Sequence, residues 1–454
     1  LKYRLIGATI ALCSLRVKMR LLVFLLLWLS FMGFAYPYSL EDAFHDTLLN
    51  NDTVKSLSKQ HELASLRRKM SISELLPVAS LGLLHDFDRE FWSPAISTKA
   101  NPVIGLTVTQ NIGNPFAPLS KLLLAKHDYL NATFLYADAI HNVMLRVIHA
   151  YLEAIRTEEV LTLHKETIRA LEMNLDAVQK SLKLGESTKG ELAYAKAKLL
   201  SARSQFLEST NKAESSRASL YHLVGRKSMQ TKLEDPILKV QYLPQTLEEC
   251  VTLAFANNAP IKAARNAIKS AKLRVMESMG RWLPAMSLET TLRYVPSKEN
   301  IAGGLQRVGT QTTISIGMPL FTGGRNTLAV AIAYEDRSLK EHEYHAKSKL
   351  LEEEVQNTWN DYHNALLLAS ALKELVKASN IAADSIRQEA QLNLKSNLNV
   401  IDAELDLLKV RTQLRQAEAA KVGAFYKLLF MIYGDRALDI LLMEDFSTSA
   451  QQKS

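Results

Sequence analysis

The chain has 454 residues, 47% of them hydrophobic and 7% aromatic, with 17 Gly and 12 Pro, which is enough for a sizeable core and too few chain breakers for an all-β fold. The formal net charge of +8 does not point to a nucleic-acid partner. Lys2, Arg4, Arg16, Lys18 and Arg20 supply five of those charges within residues 1–35, which hold no acid.

Met19-Arg20 opens an almost wholly apolar run to Phe34, and Gly33 and Ala35 are small. Residues 1–35 therefore read as an upstream extension and a signal peptide cleaved after Ala35, with Leu1 or Met19 as the start. The run of about 14 residues is shorter than the ~20 of a membrane span, and an uncleaved anchor is the rival reading. Cys13 follows Leu12, not the small residue of a lipidation site, so no lipid anchor is expected. Cys250 is then alone in the mature chain, without an intramolecular disulfide, and reads as a small core residue.

Next comes a duplication. Ser39-Leu40-Glu41-Asp42-Ala43, Asn50-Asn51, Leu76-Pro77 and Ser80-Leu81 return as Thr246-Leu247-Glu248-Glu249-Cys250, Asn257-Asn258, Leu283-Pro284 and Ser287-Leu288, always 207 residues on. This divides the chain into a first repeat at 36–225, a linker at 226–245 with Pro236 and Pro244, a second repeat at 246–434, and a C-terminal tail at 435–454. Each repeat is expected to open with a helix of about 35 residues, closed at Pro77 or Pro284.

Two strands follow in each repeat. Met286, Leu288, Leu292 and Tyr294 alternate with Ser287, Glu289, Thr291 and Arg293; Ile314, Ile316 and Met318 alternate with Thr313, Ser315 and Gly317. Ile104, Leu106 and Val108 do the same with Gly105, Thr107 and Thr109, and the partner strand around Val78 to His85 is less regular. Such period-2 stretches predict one apolar and one polar face. Gly303-Gly304 reads as the loop between the second pair.

Then each repeat runs into a stretch without Gly or Pro, Leu119 to Leu184 and Arg325 to Val422. In the second, Leu351, Val355, Trp359, Tyr362, Leu366, Ala369, Leu372 and Val376 form one apolar seam. Either breaker would cost a helix interior about 1 to 3 kcal/mol, so each stretch predicts a very long helix. A turn at Gly185 to Thr188, or near Asn393, precedes a returning helix that ends at Gly225 or Gly434. A helix of roughly 70 residues is ~100 Å long, which no single compact globular domain needs.

Asn258-Ala259-Pro260, Leu283-Pro284, Pro319-Leu320-Phe321-Thr322-Gly323-Gly324-Arg325 and Gly185-Glu186-Ser187-Thr188-Lys189-Gly190-Glu191-Leu192-Ala193-Tyr194-Ala195 together resemble the outer-membrane efflux protein family, the TolC-like channel-tunnels. Pro77, Pro284, Pro319, Gly323 and Gly324 carry its structural motif. The first repeat departs from it at Asn111 to Phe116, and the second turn has Asn393 where the family usually has Gly. The resemblance covers nearly the whole mature chain.

It implies a mainly α protein with a membrane β-barrel. Long coiled-coil hairpins would form an α-barrel, and four transmembrane strands per chain would complete a twelve-stranded barrel in a homotrimer. Four strands cannot close a barrel alone, because open edges leave unpaired backbone groups in lipid. The implied function is a trimeric outer-membrane exit duct of a tripartite efflux pump or type I secretion system. Its partners would be a periplasmic adaptor (membrane fusion) protein, an inner-membrane transporter and outer-membrane lipid, in a Gram-negative-type bacterium. The rival class is a periplasmic coiled-coil adaptor or scaffold without a barrel.

The resemblance puts Asp402 and Glu191 at the tunnel aperture, with Asn399 and Lys395 as further candidates. An acid in a first helical turn also suits the helix dipole, so position alone leaves both readings open. The turns at Gly185, Ser187 and Thr188, and at Asn393, Ser396 and Asn397, would meet the adaptor. No catalytic residue, metal or cofactor is expected. His342-Glu343-Tyr344-His345 lacks the His-Glu-x-x-His spacing of a zinc protease, and Gly323-Gly324-Arg325-Asn326 lacks the Lys-Ser/Thr of a phosphate loop.

Overall fold

The computed structural model describes residues 38–87, 100–114, 116–226, 232–295, 307–392, 394–434 and 436–442. The signal segment, Cys13, Pro115, Gly303-Gly304, Asn393 and most of the tail lie outside them.

The chain runs α1 (Leu40–Asn50), α2 (Asp52–Ser73), β1 (Val78–Phe87), β2 (Ala100–Gly113), α3 (Ala117–Lys183) and α4 (Lys189–Val224). After a 3-10 turn at Val240–Tyr242 come α5 (Leu247–Asn257), α6 (Ala259–Gly280), β3 (Ala285–Val295), β4 (Arg307–Gly317), α7 (Arg325–Gln391), α8 (Asn397–Tyr433) and α9 (Arg436–Leu442). α3 and α7 have 67 residues each, so each is a rod of ~100 Å. α4 folds back on α3, and α8 on α7. The apolar seam of α7 is buried at Leu351, Val355, Tyr362 and Ala369, but Leu366 is 43% exposed.

The opening segment of each repeat is not one helix but two, of 11 and 22 residues. The Asn-Asn pair breaks it. Asn51 and Asn258 leave helical geometry at ψ 123° and cap the next helix, accepting from the N–H of Val54 and of Ile261 at 3.1 Å each. Pro260 fits the first turn, where its missing N–H costs nothing. The break is also a junction. Asn51 donates its amide to the Leu223 carbonyl, and Asn257 donates to that of Ile432 at 3.0 Å. Both acceptors lie at the end of a returning helix, just before its glycine. Gly225 (φ 76°) and Gly434 (φ 53°) are left-handed there, and a Cβ on Gly434 would lie 2.7 Å from the Asn257 carbonyl oxygen.

Pro77 and Pro284 stand one residue before β1 and β3, and Pro319 follows β4. Gly323 (φ 62°) and Gly324 (φ 82°) make the strand-to-helix turn. The four strands form one antiparallel sheet in the order β1-β2-β3-β4. Its register pairs Leu81 with Leu106, Leu106 with Leu292, and Leu288 with Ile314. One face thus carries Leu81, Leu106, Leu288 and Ile314, interrupted by Thr290 and Thr312, whose hydroxyls meet at 3.2 Å. The other carries Ser80, Thr107, Thr291, Glu289 and Thr313, with Thr107 and Thr291 hydroxyls also 3.2 Å apart. The apolar face is uncovered: Leu81 is 76% and Ile316 69% exposed. β1 and β4 are both open edges within the chain.

The main core lies midway along α3, where Phe44, Met144, Val147, Tyr151, Phe425 and Tyr426 pack. Tyr151 donates to the carbonyls of Tyr38 (2.6 Å) and Glu234 (2.8 Å), tying the start of the described chain to the inter-repeat segment. The Tyr38 hydroxyl donates to buried Asp46 at 2.7 Å, and Arg226 holds the same carboxylate. A second cluster surrounds Cys250, Val355 and Leu428. Cys250 is fully buried, and burial pushes its thiol up to about 11. Within the C-terminal segment, α9 packs Ala437 and Leu441 into the core.

Candidate functional site

The far ends of the long helices form a tip of two turns. In the first, Gly185 (φ 79°) ends α3, and the Glu186 N–H reaches back to the Ser181 carbonyl at 2.9 Å. Thr188 then caps α4 by accepting from the Glu191 N–H at 3.1 Å. Glu191 answers by accepting from the Thr188 N–H at 3.1 Å and from the Ser187 hydroxyl. Those bonds, the Ser187 hydroxyl foremost, hold the Glu191 carboxyl below the usual range. In the second turn the Leu394 N–H bonds the Glu389 carbonyl at 2.9 Å. Ser396 caps α8 by accepting from the Leu398 N–H at 3.1 Å. Lys395 and Asn399 are exposed, and the Asn397 carbonyl accepts from Asn174 at 3.3 Å.

Asp402 is in the second turn of α8, with its side chain 56% exposed. Its carboxylate accepts from the Tyr194 hydroxyl at 2.9 Å and lies 3.9 Å from the Lys198 ammonium. The Lys198 ammonium also sits 5.0 Å from the Tyr194 ring centroid. A small core of Leu171, Val178, Ala195, Leu199 and Ile401 presses α4 and α8 onto α3, which holds these groups in place.

The tip therefore joins Asp402 to Tyr194 and Lys198, and commits Glu191 to its own cap. No described bond links the two acids. Tyr194 and Lys198 were not singled out from the sequence. The signal was present: Thr188 and Ser396 are both N-caps, 208 residues apart, and the same step carries Tyr194 onto Asp402. It carries Glu191 onto Asn399, which matches neither the charge nor the length of Glu191. A second missed feature lies beside the tip, where Arg387 of α7 pairs with Glu404 of α8, whose side chain is 11% exposed.

The tip is chemically a cluster of fixed charges and hydroxyls held by packed helices. Among the described residues no group of three or more His, Cys, Asp or Glu could hold a metal, and His342 and His345 are exposed on α7. Among them, too, no helix is long and apolar enough to cross a membrane.

Residues 45–226 and 251–432 match the family model described as outer membrane efflux protein. The chain is 22% identical over 339 residues to the outer membrane efflux protein BepC of Brucella suis biovar 1 (strain 1330), covering 74% of this chain and 73% of that one. It is 22% identical over 415 residues to the alkaline protease secretion protein AprF of Pseudomonas aeruginosa, covering 87% and 84%. The open-state structure of the MtrE outer membrane channel of Neisseria gonorrhoeae superposes with a TM-score of 0.76 at 17% identity, over 88% of each chain. At that identity the likeness is one of fold.

Proposed function

The chain belongs to the outer membrane efflux protein family, and from that premise we propose that three copies form one continuous exit duct. Members of this family are outer-membrane channels, not enzymes, and this chain is an outer-membrane exit duct. The rival reading of a periplasmic adaptor without a barrel does not fit such a membership.

The observation that carries the finer reading is the sheet: four strands, one uncovered apolar face and two open edges, at the end of ~100 Å helices. In lipid those edges must pair, and other copies of the chain supply the partners. Three copies make a twelve-stranded barrel. Residues 36–225 and 246–434 act as two repeats of the wall, joined by 226–245. The tips at 185–188 and 394–397 meet a periplasmic adaptor, which connects the duct to an inner-membrane transporter. One relative is named for efflux and another for protease secretion, so the reading spans tripartite efflux and type I secretion. Extraction in mild detergent is expected to yield a trimer; a monomer that keeps its strand content would refute the shared barrel.

Asp402 lines the aperture in this reading, with Tyr194 at its side; Glu191, Asn399 and Lys395 lie nearby. Asp402→Asn keeps the oxygen that Tyr194 bonds and removes three charges from a constriction where ions are poorly shielded. Lys198 already offsets part of that charge, so the expected result is weaker cation selectivity, not its reversal. Single-channel recordings should also show less block by multivalent cations, with thermal stability nearly unchanged. Loss of stability with unaltered conductance and block would make Asp402 a helix-end stabiliser instead.

A further inference from the structure

The duplication contains a template for the contact between copies. In the chain, the first repeat meets the second through β2 on β3 and through α3 on α6. In a closed ring, the second repeat of one copy meets the first repeat of the next in the same way. Residue equivalents follow from the element starts: 207 residues separate α2 from α6 and β1 from β3, and 208 separate α3 from α7.

At the internal contact, the His127 ring nitrogen and the Asn266 side-chain oxygen lie 2.6 Å apart, and Asn266 donates to the His127 carbonyl at 2.7 Å. Carried round the ring, His127 becomes Glu335 on α7, and Asn266 becomes Lys59 on α2 of the next copy. A hydrogen-bonded polar pair is replaced by an acid and a base. The surrounding exposure agrees. α6 lies between α3 and α7, and Ala263, Asn266 and Ser270 are all 7% exposed or less. Their equivalents on α2 are Ser56, Lys59 and Leu63; Leu63 is 51% exposed and the Lys59 side chain 77%. α2 thus has the face that α6 buries, and among the described residues no other helix covers it.

That face has a regular spacing. Lys59, Leu63, Leu66 and Met70 recur at steps of four and three, and on α7 so do Leu328, Ile332, Glu335 and Leu339. Leu66 is 52%, Leu328 63% and Ile332 68% exposed. Two such stripes, each apolar with one charge, form a helix–helix seam.

We infer that Glu335 of one copy pairs with Lys59 of the next, with Leu328 against Leu66 beside it. This rests on the trimer reading and adds the pairing. Within the chain Lys59 bonds Glu62 at 2.7 Å on an exposed turn, an arrangement weak enough to rearrange.

The test uses full-length protein in detergent. Lys59→Glu and Glu335→Lys should each raise trimer dissociation by about tenfold or more, since each sets like charges across three interfaces. The double charge swap should restore it. Independently, Leu66→Cys with Leu328→Cys should give covalent dimers and trimers on mild oxidation, while either cysteine alone should not; native Cys250 is buried. A wild-type monomer would overturn the trimer and the pairing together. A wild-type trimer with no covalent ladder, and a double swap no better than the single variants, would overturn the pairing alone.

Discussion

Ile314→Arg is expected to abolish most membrane assembly. β4 has 11 residues, about the length of one tilted membrane strand, and Ile314 stands two residues from its centre on the apolar face, opposite Leu288. An arginine facing lipid at mid-membrane costs about 2 to 4 kcal/mol, and in the proposed trimer three copies bear it at once. Ile316 is two residues nearer the helices, so Ile316→Arg should cost less, as the penalty falls toward the interface. Leu288→Arg should behave like Ile314→Arg. Thr313 points to the other face, across from Glu289, where an arginine meets a carboxylate and, in the barrel, water. Thr313→Arg and Ser315→Arg should assemble almost normally. The measurement is the fraction of each variant extracted from outer membranes as folded trimer. Equal yields for Ile314→Arg and Thr313→Arg would mean that the sheet does not face lipid.

The parts of the fold that were legible in the sequence share one property: they are written in local patterns. The long helices follow from the absence of Gly and Pro, the strand faces from alternation, and the order of elements from the duplication. What was not legible depends on non-local contact. The sequence predicts one opening helix because the strong stop signal common to both repeats is the proline, Pro77 or Pro284. Only the carbonyls of Leu223 and Ile432, some 170 residues away, show why the chain bends at the Asn-Asn pair. At the tip, the acid at 191 was grouped with that at 402 by motif. The bonds differ: Glu191 closes a capping box, and Asp402 meets Tyr194 from the other repeat. Position in a motif predicts a turn well, because turn geometry is local. It predicts poorly which side chain crosses to a neighbouring helix.

The Arg387–Glu404 pair shows this most clearly, and its loss should be among the largest single-site effects. Arg387 stands in the last turns of α7 and Glu404 two residues past Asp402 on α8, so together they staple the second hairpin just behind the tip. Glu404 is nearly buried at 11% exposure, while Arg387 is 45% exposed and also bonds Asp384 at 2.6 Å. Arg387→Met keeps the aliphatic bulk and leaves a buried carboxylate without its partner. Breaking such a pair from one side costs about 3 to 5 kcal/mol, and the half-exposed arginine puts the expected value at the low end. The Asp384 contact adds little, since that carboxylate is 64% exposed. Combining Arg387→Met with Glu404→Leu removes both charges together, and such replacements are often neutral. Hydrogen exchange across residues 380–410 should therefore rise sharply in the single variant and return near wild type in the double. Asp402→Asn should leave that exchange unchanged while altering conductance, which separates the proposed aperture charge from the staple behind it. If the double variant is as labile as Arg387→Met, the packing of the arginine stem rather than the ion pair holds the hairpin closed.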